Sequence, residues 1–128
     1  MTAPELRDDS PILPSAVLWR RVYPDHRYIH QEPDGSYRAS SLAFDDGPDG
    51  DPMSMYLAAE ALDQEVVLAG HVTFGLASIT AEVLPENRQI IVRDPTDIPG
   101  HVLVIGDKPH RVRQELAKAA DLVRAPQL

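Results

Sequence analysis

The stretch QIIVRDPTDIPGHVLVIGDKPHRVRQELAKAADLV, residues 89–123, decides the fold class. Its two apolar runs, Gln89–Val92 and His101–Ile105, are short and rich in β-branched residues. The turn-rich segment Asp94–Gly100 separates them, so they read as two strands able to pair as neighbours. The period then changes. Pro109 suits the start of a helix, and Val112, Leu116, Ala119, Ala120 and Val123 recur as one apolar stripe. Arg111, Arg113, Lys118 and Arg124 lie largely off that stripe. The expectation is a helix over Pro109–Val123 with Leu116 and Val123 buried. Strands early in the chain and helices interspersed later do not make a regular βαβ series. They predict an α+β fold: a small mixed or antiparallel sheet with two or three packed helices.

Working upstream, Gly75–Leu84 places Leu76, Ile79, Val83 and Leu84 near helical spacing before Pro85, which predicts a helix. Val66–Ala69 is a short apolar run of strand character. Ala58–Gln64 holds helix formers throughout, while Met53–Leu57 is compatible with either state. Asp45–Pro52 (Asp-Asp-Gly-Pro-Asp-Gly-Asp-Pro) reads as an exposed loop. Ser36–Phe44 is part strand and part loop, Pro33-Asp34-Gly35 is a turn, and Arg27–Gln31 is a short strand. Ala16–Tyr23 mixes β-branched and aromatic residues and stops at Pro24, as a strand does. Residues 1–14 carry three prolines and no periodicity, which predicts a flexible arm ahead of a single domain over 15–128.

A chain of 128 residues, 43% apolar and 25% charged, can bury a core without disulfide or metal staples. There is no cysteine, which excludes disulfides, thiolate metal sites and cysteine nucleophiles. No leader-like pattern and no apolar run of about 20 residues is present, so the expected location is the cytoplasm, away from membranes. The net charge is −8, with −5 in each of residues 25–51 and 52–106 and +2 in residues 107–128. No basic stripe exists to neutralise phosphates, so direct nucleic-acid binding is not expected.

Metal and cofactor signatures are missing. His26 and His30 are four apart in a proline-flanked, strand-like context without a third ligand facing them, and His71, His101 and His110 stand singly. An EF-hand frame begun at Asp45 meets Gly47 where an oxygen is needed and Tyr56 where the bidentate Glu belongs. Phosphate-binding glycine loops and a nucleophile elbow are absent from the sequence. No metal and no cofactor is therefore expected.

Basic, hydroxyl and imidazole groups concentrate between Arg20 and Phe44. Arg21, Tyr23, His26, Arg38, Ser40 and Ser41 are the candidate ligand-binding residues, because guanidinium and hydroxyl groups together supply convergent donors to an anion. The structural alternative has Arg38 paired with a loop aspartate and the two serines closing a turn. The same stretch resembles a group of small bacterial proteins with an Arg-x-x-x-Pro-Asp opening and an Arg-Pro-Ser-Ser-x-Ala-Phe core. Arg21-Val22-Tyr23-Pro24-Asp25 approximates the opening with its spacing one residue short. Arg38-Ala39-Ser40-Ser41-Leu42-Ala43-Phe44 matches the core with Ala39 in place of proline. Asp94-Pro95 and His101-Val102-Leu103-Val104 are also similar to that group. The likeness implies kinship and carries no activity with it.

Two functions follow as expectations. The first is a non-catalytic protein-interaction or accessory module of a bacterial system, its partner another protein. It rests on small size, missing catalytic signatures and an acidic surface. The alternative is a small nucleotide- or anion-binding enzyme of the ADP-ribosyltransferase or RES-like type. That enzyme would use Arg21, Arg38, Ser40 and Ser41, although no glutamate in a matching context accompanies them.

Overall fold

The computed structural model describes residues 12–94 and 96–128. In chain order the elements are β1 (Val17–Val22), β2 (Ile29–Gln31), β3 (Tyr37–Ala39), β4 (Met53–Leu57), α1 (Ala58–Ala61), α2 (Gln64–Val67), β5 (Gly75–Thr80), α3 (Val83–Glu86), β6 (Ile90–Arg93), β7 (His101–Ile105), α4 (His110–Ala119) and β8 (Asp121–Arg124). Six strands form one sheet in the order β6-β7-β4-β1-β5-β8, and every pairing is antiparallel. β2 and β3 make a separate hairpin. The fold is α+β, with a mainly antiparallel sheet.

The alternation in β4 shows how the sequence positions the rest. Met53, Met55 and Leu57 join the main core with Leu18, Val22, Ala77, Ile79, Val102 and Val104. α4 closes that core through Val112, Leu116 and Ala117. The intervening Ser54 and Tyr56 point to the opposite face, as the two-residue period requires. There Tyr56 enters a smaller cluster with Ala61, Val67, Leu68 and Leu76, flanked by Trp19, Phe74 and Ile98. The sheet thus has one face that is apolar apart from the buried Arg20 of β1, and one where apolar and chemically active side chains alternate.

Three local expectations are corrected. Gly75–Leu84 is mostly strand, not helix: Ala77 and Ile79 enter the main core while Leu76 enters the smaller cluster. A strand buried on both faces has no polar side to reveal its period. Val66–Ala69 is not a strand, because Asp63 accepts a hydrogen bond from the Glu65 amide at 2.9 Å and caps the short α2. The last helix stops at Ala119: Ala120 is extended, and Asp121–Arg124 turn back to pair with β5, Leu122 opposite Ala77. Val123 consequently lies 44% exposed, whereas Leu116 is fully buried.

Asp45–Pro52 is exposed over Pro48–Asp51 but anchored at its start. The ammonium of Lys108 donates to Asp46 Oδ1 at 2.6 Å, Val104 O at 2.9 Å and Gly106 O at 3.1 Å. Asp45 lies 3.7 Å from Arg113. Of the arm expected over residues 1–14, the first eleven lie outside the described residues. Ile12 packs against the core, and Pro14 O accepts from the Glu82 amide at 2.9 Å. No helix among the described residues is long and apolar enough to cross a membrane.

Candidate functional site

The second face of the sheet brings together residues that are far apart in sequence. β4 and β7 are neighbours with Tyr56 opposite His101, and Ser54 lies two residues back on the same face. His101 Nε2 is 2.9 Å from Ser54 Oγ. On its other side, His101 Nδ1 lies 3.4 Å from Asp94 Oδ2 and 4.0 Å from Asp97 Oδ2. His101 is only 7% exposed, and Nδ1 has no well-formed hydrogen bond among the described residues.

The β6–β7 loop fixes the carboxylates. Asp94 Oδ1 accepts from the Thr96 amide at 3.0 Å and from the Thr96 hydroxyl at 2.5 Å, which leaves Oδ2 for His101. Those Thr96 bonds, with His101 adding to them, hold the Asp94 carboxyl below its ordinary pKa. Gly100 has φ +87°, and a Cβ there would sit 2.8 Å from Leu57 O. Only glycine lets the loop press this closely on β4, where Gly100 O accepts from the Leu57 amide at 2.8 Å.

Arg21 extends the site from β1. Its Nε donates to Val67 O at 2.8 Å, and its guanidinium carbon lies 4.8 Å from the centroid of the Tyr56 ring. No other hydrogen bond engages Arg21 among the described residues. The Tyr56 hydroxyl donates to Asp97 Oδ2 at 3.3 Å, and burial, partly offset by Arg21, pushes its pKa up. His71 is pushed down, first by burial and then by Arg21, so it is neutral near pH 7.

A cleft of about 260 Å³ opens beside this group. Ser54, Arg20, Arg21, His71, Tyr23 and Phe74 lie on its walls, with Asp51 and Gly47 from the acidic loop. Tyr23 and Phe74 pack on each other, centroids 5.0 Å apart. Arg20 is spent on structure: it donates to Ala43 O at 2.8 Å, Ser54 O at 2.9 Å and Asp45 O at 3.2 Å. It faces away from Arg21, as adjacent strand residues must.

The residues singled out between Arg20 and Phe44 do not meet at one place. Arg21 and Tyr23 line this cleft. Arg38, Ser40 and Ser41 line another, of about 190 Å³, with His30, Gln114 and Lys118. His26 is exposed in a single 3₁₀ turn and lines neither. Arg38 pairs with Glu32 across the β2–β3 hairpin instead of with a loop aspartate, and Ser40 Oγ donates to Arg27 O at 2.6 Å. Among the described residues, no three histidine, aspartate or glutamate side chains are placed to hold a metal ion.

No protein family, curated protein or solved structure matches this chain. Its chemistry rests on its own geometry. Ser54, Tyr56, His71, Asp94, Asp97 and His101 were not marked as a site by the sequence. The available signal was the alternation Met-Ser-Met-Tyr-Leu over residues 53–57, which sets Ser54 and Tyr56 on one face of a strand.

Proposed function

We propose that this chain binds a small anionic ligand in the cleft between β1, β4 and the loop after α2. The observation that carries the reading is Arg21. Its Nε and the face of its guanidinium are engaged by Val67 and the Tyr56 ring, while its two Nη groups hold no hydrogen bond among the described residues of a cleft it lines. A guanidinium fixed on one side and open on the other is preorganised for a carboxylate or phosphate. The net charge of −8 opposes anion approach at long range. Charges beyond about 8 Å are largely screened at physiological salt, and Asp51 is the only acid among the described residues of the cleft wall. The volume, about 260 Å³, is close to the lower end of the range for small-molecule sites.

Thermal shift and calorimetry with small carboxylates and inorganic phosphate test this. Arg21→Gln is expected to weaken binding by about 10- to 100-fold, the equivalent of one or two charge-assisted hydrogen bonds. Arg38→Ala, in the other cleft, should leave affinity unchanged. Equal affinity in Arg21→Gln and the unmodified chain would refute the reading.

A second reading, the protein-interaction module, has its own observation. β6 has one strand neighbour among the described residues, β7. Beside it runs an apolar groove of about 570 Å³ with Ile12, Pro14, Pro85, Ile90 and Ile91 on its walls and Glu82 and Glu86 among its lining residues. An edge strand accepts an extended segment by backbone pairing, and the two glutamates favour lysine or arginine in it. A peptide alternating valine and lysine should perturb the amides of Ile90–Val92 in NMR spectra. A proline-interrupted peptide of matched charge should not. Indifference to both, or equal responses, would exclude strand addition here.

A further inference from the structure

We propose that Ser54, His101 and Asp94 form a nucleophilic relay that hydrolyses small carboxylic esters bearing an anionic group. The anionic preference rests on the ligand-binding reading above; the nucleophile does not. Three observations converge on Ser54. Its hydroxyl is 2.9 Å from an imidazole nitrogen, within reach for proton transfer. The opposite nitrogen of that imidazole is buried 3.4 Å from a carboxylate oxygen whose partner oxygen is already occupied by Thr96. And Ser54 lines a cleft whose walls also carry Arg21 and His71. A serine, a base beside it, and a carboxylate beside the base is the set of groups that recurs on unrelated folds for acyl transfer.

The contacts assign roles. With the proton on Nδ1 facing Asp94, His101 presents its Nε2 lone pair to Ser54. Ser54 Oγ attacks the ester carbonyl and passes its proton to Nε2. The imidazolium so formed is stabilised by Asp94, with Asp97 4.0 Å from Nδ1. Collapse of the tetrahedral adduct breaks the bond to the alkoxide, which leaves with the proton from Nε2 as an alcohol. Water then attacks the acyl-serine, giving its proton to His101, and Ser54 is released with that proton as the acid departs. No oxidant or metal enters the balance. Arg21, His71 and Tyr23 are side chains on the cleft wall that can donate to the substrate's anionic group.

The test uses the full chain and a fluorophosphonate probe, which forms a serine–phosphorus bond and expels fluoride. Intact mass should show one adduct, and peptide mapping should place it on Ser54. The adduct should vanish in Ser54→Ala and form about 100-fold or more slowly in His101→Gln, the usual contribution of a general base. Hydrolysis of 4-nitrophenyl hemisuccinate should exceed that of 4-nitrophenyl acetate, and Arg21→Gln should erase the difference. Because the adduct is read on the unmodified chain, a variant that fails to fold does not blur the result. No adduct, or an adduct on another residue, overturns the nucleophile even where anions bind in an Arg21-dependent way. Labelled Ser54 with no preference between the esters leaves the nucleophile standing and removes the anionic substrate.

Discussion

Replacing Asp46 with alanine is expected to destabilise the fold by about 3 kcal/mol, because it strands a buried ammonium. The Lys108 side chain is 1% exposed, and its three donors go to Asp46, Val104 O and Gly106 O. Asp46 also accepts from the Met53 amide at 3.1 Å, so this carboxylate joins the acidic loop, the start of β4 and the end of β7. Without it, two carbonyls face a cation with no counter-charge. Replacing both partners, with Lys108→Met filling the space, should recover most of the loss, since a buried pair exchanged for apolar contact is often nearly neutral. Urea unfolding of the two single variants and the double variant measures the coupling. A loss below about 1 kcal/mol for Asp46→Ala would mean that water reaches Lys108 and the pair is not a buried one. The same variant should loosen the cleft, because Gly47 on its wall follows the anchored residue directly and its amide donates to Asp51 O at 2.7 Å.

That anchor also explains part of what the sequence could not reveal. Asp45–Pro52 looks like a solvated loop by composition, and its acids resemble a cation site. The cation supplied is Lys108, 62 residues away, on a segment that reaches Asp46 only after the sheet has formed. Where local signals suffice, the reading is accurate: β1 is bounded by Pro24, and β6 pairs with β7 across a turn-rich loop. Failure begins where burial is set by distant elements. Leu76 and Ile79 mimic a helical stripe because different layers cover the two faces of β5. The site is illegible for the same reason. Ser54 and His101 are 47 residues apart and become neighbours only because the sheet order places β7 beside β4. Arg21 was legible as a strand arginine, but the Tyr56 ring beneath it was not. Arg38, Ser40 and Ser41 form the most regular local motif, yet Arg38 and Ser40 are engaged within their own hairpin and the adjacent turn.

The C-terminal segment gives the second large effect, and a direct comparison of two substitutions. Leu116 is fully buried on α4, which packs on the main core and beside the turn at Ser41–Ala43. Leu116→Ala is expected to cost about 2–5 kcal/mol, the transfer of the lost atoms plus the cavity they leave. Val123 shares the helical stripe in the sequence, and a helix continued to residue 123 would bury it and make its truncation costly as well. In the structure the chain turns extended at Ala120, and Val123 lies on β8 with 44% of its surface exposed. Val123→Ala should therefore cost within about 0.5 kcal/mol, the usual range for a surface position. Urea midpoints of the two variants, read with unchanged slopes, separate the arrangements. Comparable losses would mean that the helix runs on through Val123, that β5 lacks its β8 neighbour, and that this edge of the sheet is open.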